Sequence, residues 1–129
     1  MTAEPSPPAA PAAVARAYVE SFASGDPDRI AAFVAEGFVN EHTAALGRGT
    51  TGREAYRAAL PGFLAGFPGL RYDIEDVVAD GERVAVFYRM RSGPSDLRGA
   101  FRLTIVGGLV THRVDYWDAL TYLRQTGQA

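Results

Sequence analysis

The last apolar segment of the sequence carries the residues that indicate acid–base chemistry most directly. Arg113, Asp115 and Trp117 alternate along a predicted strand, which places them on one of its two faces. Aspartate is disfavoured within strands unless a function retains it, and desolvation in an apolar pocket lets a carboxyl group exchange protons near neutral pH. We therefore predict that Asp115 is a catalytic acid or base, with its pairing to an arginine such as Arg113 or Arg89 as the structural alternative.

His42 and Tyr18 are two further candidates for roles in proton transfer or hydrogen bonding. His42 ends the short extended segment FVNEH, and imidazole titrates near neutrality, so this side chain can accept a proton from an activated carbon. Tyr18 lies on the apolar stripe of the first predicted helix, which directs its hydroxyl toward the interior. The alternatives are a loop histidine bonded to the backbone and a core tyrosine bonded to a neighbour.

Two arginines alternate along an earlier predicted strand. Arg89 and Arg91 share a face with Phe87 and Ala85, while the opposite face carries an apolar set. We predict that the arginines line the pocket, where guanidinium groups would bind an enolate, carboxylate or phenolate oxygen. Arginines that reach solvent near the rim are the alternative.

The composition excludes several classes of chemistry. The 129 residues include no cysteine, and all 13 basic residues are arginine, so thiolate nucleophiles, disulfides and lysine Schiff bases are excluded. His112 falls on the strand face opposite to Asp115 and shares no local ligand motif with His42, so we predict no metal and no other cofactor. The net charge of −2 argues against nucleic acid as a partner, and no apolar segment is long enough to span a membrane. We expect a soluble, cytoplasmic protein.

Helices are predicted in the first half of the chain and strands in the second. The apolar period changes from 3.6 to 2 at about Leu70. The first and last expected helices span residues 11–24 and 119–124. The second is capped by Asp26 and includes Phe33 and Val34. The third begins at a Thr51–Glu54 capping box, and Pro61 is expected to kink or interrupt it. The expected strands span residues 38–42, 71–79, 83–92, 97–106 and 109–118. Residues 1–12 are predicted to be a flexible Pro/Ala tail and residues 13–129 a single α+β domain.

The order and spacing of these segments resemble the SnoaL-like group of the nuclear-transport-factor-two-like superfamily over about residues 14–127. AYVESFASGDPDRIAAFVAEGFV is similar to the family's first two helices, and GREAYRAALPGF with FPGLRYDIEDVVADGERVAVFYRMR is similar to its third helix and following hairpin. THRVDYWDALTYLRQTG is similar to its closing strand and terminal helix. The resemblance implies a cone-shaped, curved antiparallel sheet with three N-terminal helices on its concave face and a pocket at the open end. It also implies a homodimer through the convex face, for which we predict Val84, Val86, Tyr88, Val114 and Tyr116 as contacts.

The resemblance to ketosteroid isomerases within this superfamily implies roles for two residues. His42 stands where the isomerases carry their general base, and Tyr18 stands where they carry a tyrosine that donates to the oxyanion. Their second oxyanion donor, an aspartic acid, falls near Phe101 here, which counts against true ketosteroid isomerase activity.

The resemblance to cyclases and limonene epoxide hydrolases concerns the later strands. RVDYWD resembles their closing strand, where an aspartate at the place of Asp115 acts as acid or base. Arg89 matches the hydrolases' arginine, but Arg91 replaces the carboxylate that follows it, so the hydrolase set is incomplete.

The leading hypothesis is a cofactor-independent SnoaL-like enzyme that cyclises or isomerises a hydrophobic, carbonyl-bearing small molecule. His42 or Asp115 would be the base, and Tyr18 or Arg89 would hold the enolate oxygen. The predicted substrate contacts are Phe38, Tyr56, Phe63, Phe67, Arg91, Arg113 and Trp117. An epoxide hydrolase and a non-catalytic domain for small-molecule binding or dimerisation remain the alternatives.

Overall fold

The helices and the longer strands occur in the order that the sequence predicts, but the two-residue strand Thr50–Thr51 is not among the predicted elements. The computed structural model describes residues 9–44 and 46–129, and within these ranges the chain forms four α-helices, a 3₁₀ turn at Phe22–Ser24 and six strands. The helices are α1 (Pro11–Ser21), α2 (Pro27–Ala31), α3 (Arg53–Gly66) and α4 (Ala119–Gln125). The strands are β1 (Val34–His42), β2 (Thr50–Thr51), β3 (Arg71–Asp80), β4 (Arg83–Ser92), β5 (Ser95–Val106) and β6 (Leu109–Trp117). Residues 1–8, most of the predicted tail, lie outside the described residues, and α1 already begins at Pro11.

The junction between α1 and α2 has the local structure that its sequence predicts. Gly25 follows the 3₁₀ turn with a φ of +65°, a left-handed conformation that favours glycine. The Asp26 side chain then accepts hydrogen bonds from the backbone N–H groups of Asp28 and Arg29, and Pro27 occupies the first turn of α2. These caps fix where one helix stops and the next begins.

Two local predictions are wrong because pairing within the sheet overrides the helical pattern. Phe33 and Val34 do not continue α2, since the Phe33 carbonyl accepts a hydrogen bond from the N–H of Val110 and β1 begins at Val34. Thr51 does not cap α3, because it belongs to strand β2. Pro61 lies within α3 without interrupting it.

The six strands form one sheet in the order β2-β1-β6-β5-β4-β3. Strands β3 to β6 make the predicted antiparallel meander, which confirms the α+β class. The exception to the antiparallel pattern is β1, which runs parallel to β6 with Asn40 opposite Arg113 and His42 opposite Asp115. This pairing places polar residues from the first third of the chain beside those of the last strand.

The two faces of β4 carry different residues, and the helices cover the apolar one. Its buried residues are Val84, Val86, Tyr88 and Met90, and α1 contacts β3, β4 and β5 on this face. Phe87 and Arg89 lie on the opposite face, called the outer face below. The prediction that Val84, Val86 and Tyr88 form the dimer contact is therefore wrong, because these side chains belong to the core. Burial of apolar area, at about 25 cal/mol per Å², favours this orientation over one that would bury arginines.

Candidate active site

A cavity of about 370 Å³ lies between the sheet and the helices. Much of its wall is aromatic, supplied by Phe63, Phe67, Tyr72, Tyr88, Trp117 and Tyr122. The polar side chains that line it are His42, Arg48 and Asp115. A mostly apolar cavity with a few convergent polar groups is the usual form of a small-molecule site.

Asp115 lies in the cavity wall with only 6% of its surface exposed. The Tyr88 hydroxyl donates a hydrogen bond of 2.6 Å to Oδ1 of Asp115. The other carboxyl oxygen, Oδ2, lies 3.5 Å from Nδ1 of His42. Burial, followed by the nearby charge of Asp115, raises the pKa of Tyr88, so the phenol keeps the proton that it donates.

Gly99 makes the contact between Tyr88 and Asp115 possible. It lies on β5, opposite Tyr88 of β4 on one side and opposite Trp117 of β6 on the other. A Cβ atom at Gly99 would overlap the Tyr88 hydroxyl oxygen and would lie 2.6 Å from the backbone oxygen of Tyr116. The missing side chain therefore leaves the space through which Tyr88 reaches across β5 to Asp115.

His42 is positioned by the parallel pairing of β1 with β6 and by the loop that follows it. The backbone N–H and the side chain of Thr43 both donate to the carbonyl oxygen of Asp115, at 3.0 and 3.2 Å. Gly47 packs so closely against His42 that a Cβ atom there would overlap the Cβ of the histidine. Backbone pairing on one side and loop packing on the other hold the imidazole beside the carboxylate.

Arg113 is a buried cation behind the Asp115–His42 pair. Its Nε donates a hydrogen bond of 2.8 Å to Oδ1 of Asn40, and Nη1 donates one of 3.0 Å to the hydroxyl of Tyr18. The hydroxyls of Tyr18 and Tyr56 share a further hydrogen bond of 2.6 Å. The guanidinium also lies 5.0 to 5.8 Å from the ring centres of Phe22, Tyr56 and Phe101, a distance typical of cation–π contacts.

The surroundings of this guanidinium favour its charged form. Burial alone lowers the pKa of Arg113, but the nearby oxygens of Tyr18, Tyr56 and Asp115 outweigh burial and raise it above its usual value. Burial also raises the pKa of Tyr18 and of Tyr56, although Arg113 opposes the effect on both. The network therefore consists of a permanent cation and two neutral phenols.

A smaller pocket of about 80 Å³, called the inner pocket below, reaches Arg113. It shares His42, Arg48 and Phe63 with the main cavity, so the two spaces adjoin. Tyr56 and Arg113 line the inner pocket but not the main cavity. A ligand in the main cavity can thus place one small group beside the guanidinium.

The predicted site residues lie in four places: the main cavity, the inner pocket, the core and the outer face of the sheet. His42, Asp115, Phe63, Phe67 and Trp117 line the main cavity, and Tyr56 and Arg113 line the inner pocket. Phe38 is fully buried behind Tyr56, with ring centres 4.8 Å apart, and lines neither space. Tyr18 is also fully buried, and its hydroxyl is occupied by Arg113 and Tyr56, so the predicted contact with a substrate oxygen is wrong.

The predicted pocket location of Arg89 and Arg91 is also wrong. Arg89 lies on the outer face, where Nε and Nη2 make a two-pronged ion pair with Asp96 at 2.7 and 2.6 Å. Arg91 lies on the same face, with its Nε 3.5 Å from Oδ2 of Asp73. The alternation along β4 is as predicted, but the apolar set faces the cavity because its burial is favourable. The arginine that reaches the ligand space from β6 is Arg113.

Several residues of the cavity wall do not follow from the sequence. The predicted orientation of β4 places Tyr88 and Met90 on the outer face, and no motif singles out Tyr72, Leu97 or Tyr122. Gly99 is a detectable signal, because a glycine inside a strand often marks a close approach of another group. Arg48 stands in a Gly/Thr-rich loop whose position depends on tertiary structure.

The described chain offers neither a metal cluster nor a membrane-spanning helix. Within residues 9–44 and 46–129, no group of three or more His, Asp and Glu side chains is placed to hold a metal ion. No helix in those ranges has the length and apolar character needed to cross a membrane.

The comparisons with known proteins agree with this architecture. Residues 15–113 match the family model of the SnoaL-like domain. A search of curated proteins finds no significant match. A crystal structure from Kribbella flavida, provisionally assigned as a ketosteroid isomerase, is 28% identical with a TM-score of 0.71 over 84% of this chain and 77% of that one.

Two further crystal structures share the fold at lower identity. A SnoaL-like polyketide cyclase from Shewanella denitrificans, also assigned provisionally, is 17% identical with a TM-score of 0.79 over 92% of this chain and 98% of that one. A protein with a ketosteroid isomerase-like fold from Catenulispora acidiphila, solved with trimethylamine, is 20% identical with a TM-score of 0.79. The match covers 90% of this chain and 93% of that one.

Proposed function

The chain belongs to the SnoaL-like domain family, and from this premise we propose that it is an acid–base enzyme acting on a hydrophobic, carbonyl-bearing small molecule. The reaction is proton removal next to the carbonyl, leading to isomerisation or cyclisation. No cofactor takes part, because the carbonyl itself accepts the electron pair of the broken C–H bond.

The observation that carries this proposal is the Asp115–His42 pair in the wall of an apolar cavity. The 3.5 Å between Nδ1 of His42 and Oδ2 of Asp115 leaves both groups close enough to act as one proton-accepting unit. Contacts of this kind often tighten only when a substrate is bound. The hydrogen bond from Tyr88 fixes the carboxylate, so the pair has a defined orientation toward the cavity.

The proton and electron balance of the reaction is simple. The His42–Asp115 pair takes the proton from the carbon beside the carbonyl, and the electron pair moves onto the carbonyl oxygen to give an enolate. In an isomerisation, the same pair returns the proton to a different carbon. In a cyclisation, the enolate carbon forms a bond to a second carbonyl carbon of the same molecule, and the oxygen of that carbonyl takes the proton from the pair. Trp117 lines the cavity, and its buried indole N–H has no acceptor among the described residues, so we assign this N–H the role of donor to the enolate oxygen.

The test measures proton exchange, because this step needs no knowledge of the natural substrate. β-Tetralone, a two-ring ketone with acidic protons beside its carbonyl, is incubated with the protein in D₂O and followed by proton NMR. We expect exchange above the buffer rate, and a fall of about 10²–10⁴-fold in Asp115→Asn and in His42→Gln. Arg83→Gln, at an exposed strand end, is the control. Equal exchange in the wild type and in Asp115→Asn would refute the proposal.

A second part of the proposal concerns assembly. We propose a homodimer through the outer face of the sheet, with Phe87, Ala100 and Tyr116 at its centre. These three residues are directly opposite one another on β4, β5 and β6, and Phe87 and Tyr116 are each 42% exposed. Ion pairs such as Arg89–Asp96 and Arg98–Glu75 lie around this apolar row. An apolar centre with a charged rim is typical of protein interfaces.

A further inference from the structure

We propose that the inner pocket binds a carboxylate group of the ligand, so that the substrate is a hydrophobic keto acid rather than a neutral ketone. Arg113 and Arg48 are the groups that recognise the carboxylate. The keto part of this inference rests on the proposed function, but the carboxylate part rests on the charges and shape of the pocket alone.

The first argument is the balance of charge around the ligand space. The residues that line the main cavity and the inner pocket include two guanidinium groups, Arg48 and Arg113, and a single carboxylate, Asp115. Within the described ranges, neither arginine forms an ion pair with a carboxylate of the protein. The lining of the ligand space therefore carries an excess of positive charge, which one bound anion would balance.

The second argument is the burial of Arg113. Only 5% of its surface is exposed, and a buried cation is costly unless a counter-charge or hydrogen bonds compensate it. Its Nε and Nη1 are occupied by Asn40 and Tyr18, whereas no protein acceptor for Nη2 is found in the described part of the chain. Since Arg113 also lines the inner pocket, the guanidinium retains donor capacity on the side of the ligand.

The third argument is the size and neighbourhood of the inner pocket. Its volume of about 80 Å³ exceeds the ~10–15 Å³ that one water molecule needs, and it suits a group of three heavy atoms such as a carboxylate. The rings of Phe22, Tyr56 and Phe63 form apolar walls that shield part of the inner pocket from solvent, and this strengthens charge-assisted hydrogen bonds there. The hydrophobic part of the ligand would extend into the main cavity, past His42 and Asp115.

The experiment compares an acid with its uncharged isostere. Naphthaleneacetate and naphthaleneacetamide have nearly the same shape but differ in charge, and their dissociation constants are measured by titration calorimetry. We expect the acid to bind about tenfold more tightly or better, as charge-assisted hydrogen bonds to a desolvated arginine predict. In Arg48→Gln this preference should shrink severalfold, and in Arg113→Gln it should disappear. Arg83→Gln removes the same charge at the start of β4, outside both spaces, and should keep the wild-type preference for the acid over the amide.

The outcomes separate this inference from the proposed function. Equal affinity for the acid and the amide, or an equal loss in Arg48→Gln and Arg83→Gln, would overturn the carboxylate site. Arg48 is exposed, so its variant decides the matter even where Arg113→Gln fails to fold. Asp115→Asn should bind naphthaleneacetate at least as tightly as the wild type, because a nearby negative charge is removed. Tight acid binding without ketone exchange would refute the proposed function and leave the carboxylate site in place.

Discussion

At the scale of single residues, the chemistry of Asp115 depends on two neighbours that come from distant parts of the chain. Tyr88 is 27 positions away and donates to one carboxyl oxygen, while His42 lies beside the other. A hydrogen bond to a carboxylate stabilises its charged form. Tyr88 therefore acts on the reaction through Asp115, as a positioning residue.

We predict that Tyr88→Phe lowers the limiting rate of ketone exchange by about tenfold and leaves the affinity for the ketone unchanged. A hydrogen bond to a charged group contributes roughly 1.5–3 kcal/mol. Without this donor the Asp115 carboxylate is no longer held in one orientation, whereas the phenylalanine ring keeps the apolar wall of the cavity. The measurement is the rate of β-tetralone exchange as a function of ketone concentration, which separates the limiting rate from the affinity.

The control for this prediction is Tyr116→Phe, which removes a phenol hydroxyl from the outer face. Its limiting rate and its affinity for the ketone should match those of the wild type. A Tyr88→Phe variant with the wild-type limiting rate would show that the hydroxyl has no role in positioning Asp115.

At the scale of elements, the site depends on one side chain that spans three neighbouring strands. Tyr88 of β4 extends over Gly99 of β5 to reach Asp115 of β6. Gly99 has no positive φ, so its role is the space that it leaves and not an unusual backbone conformation. Any side chain there meets both the Tyr88 hydroxyl and the backbone oxygen of Tyr116.

We predict that Gly99→Ala destabilises the protein by about 1–3 kcal/mol, which is the usual cost of overpacking a core. The backbone oxygen 2.6 Å from the new Cβ cannot move without disturbing the pairing of β5 with β6. The variant should also exchange β-tetralone more slowly, since the Tyr88 hydroxyl is displaced. Urea unfolding gives the free energy, and NMR gives the rate.

Gly62→Ala is the matched control for this substitution. Gly62 lies within α3, and among the described residues no atom outside its own stretch of helix lies within 4 Å of the position that an added methyl carbon would take. Alanine should therefore stabilise the helix by about 0.5–1 kcal/mol. An unfolding free energy for Gly99→Ala equal to that of the wild type would contradict the close approach of Tyr88 and Gly99.

At the scale of the whole molecule, the sheet has an inner face, which carries the core and the site, and the outer face. The outer face carries the Phe87–Ala100–Tyr116 row across three neighbouring strands. Of the two contacts predicted from β6, Tyr116 is exposed on this face, but Val114 is only 4% exposed and offers almost no surface to a partner. Phe87 replaces the core residues Val84, Val86 and Tyr88 as the candidate contact from β4.

We predict that the chain is a dimer at micromolar concentration, with twice the 13.8 kDa of one chain. Phe87→Glu should convert it to a monomer, because the substitution puts a charge at the centre of an apolar contact. Leu120→Glu, which alters another half-exposed apolar residue on α4, should leave the dimer intact. Light scattering coupled to size exclusion measures both. A monomeric wild type, or a dimeric Phe87→Glu, would disprove the interface.

The sequence by itself determined the order of the elements, the inward phase of β6 and the family. These features depend on local signals: the change of period near Leu70, the caps at Gly25 and Asp26, and the alternation of Arg113, Asp115 and Trp117. Each signal lies within about ten residues, where backbone geometry alone relates side chains to one another. The resemblance to the SnoaL-like group needed only the order of such segments, and the family match confirms it.

Only the tertiary structure decided which face of β4 meets the helices and which distant residues meet at the site. Alternation separates Arg89 from Tyr88 but does not say which of them is inside, because that depends on how much apolar area the whole core can bury. The parallel pairing of β1 with β6 brings His42 to Asp115, and the missing side chain of Gly99 leaves room for the Tyr88 hydroxyl to reach Asp115. These contacts join residues that are far apart in the sequence, so long-range packing and not local sequence fixes them.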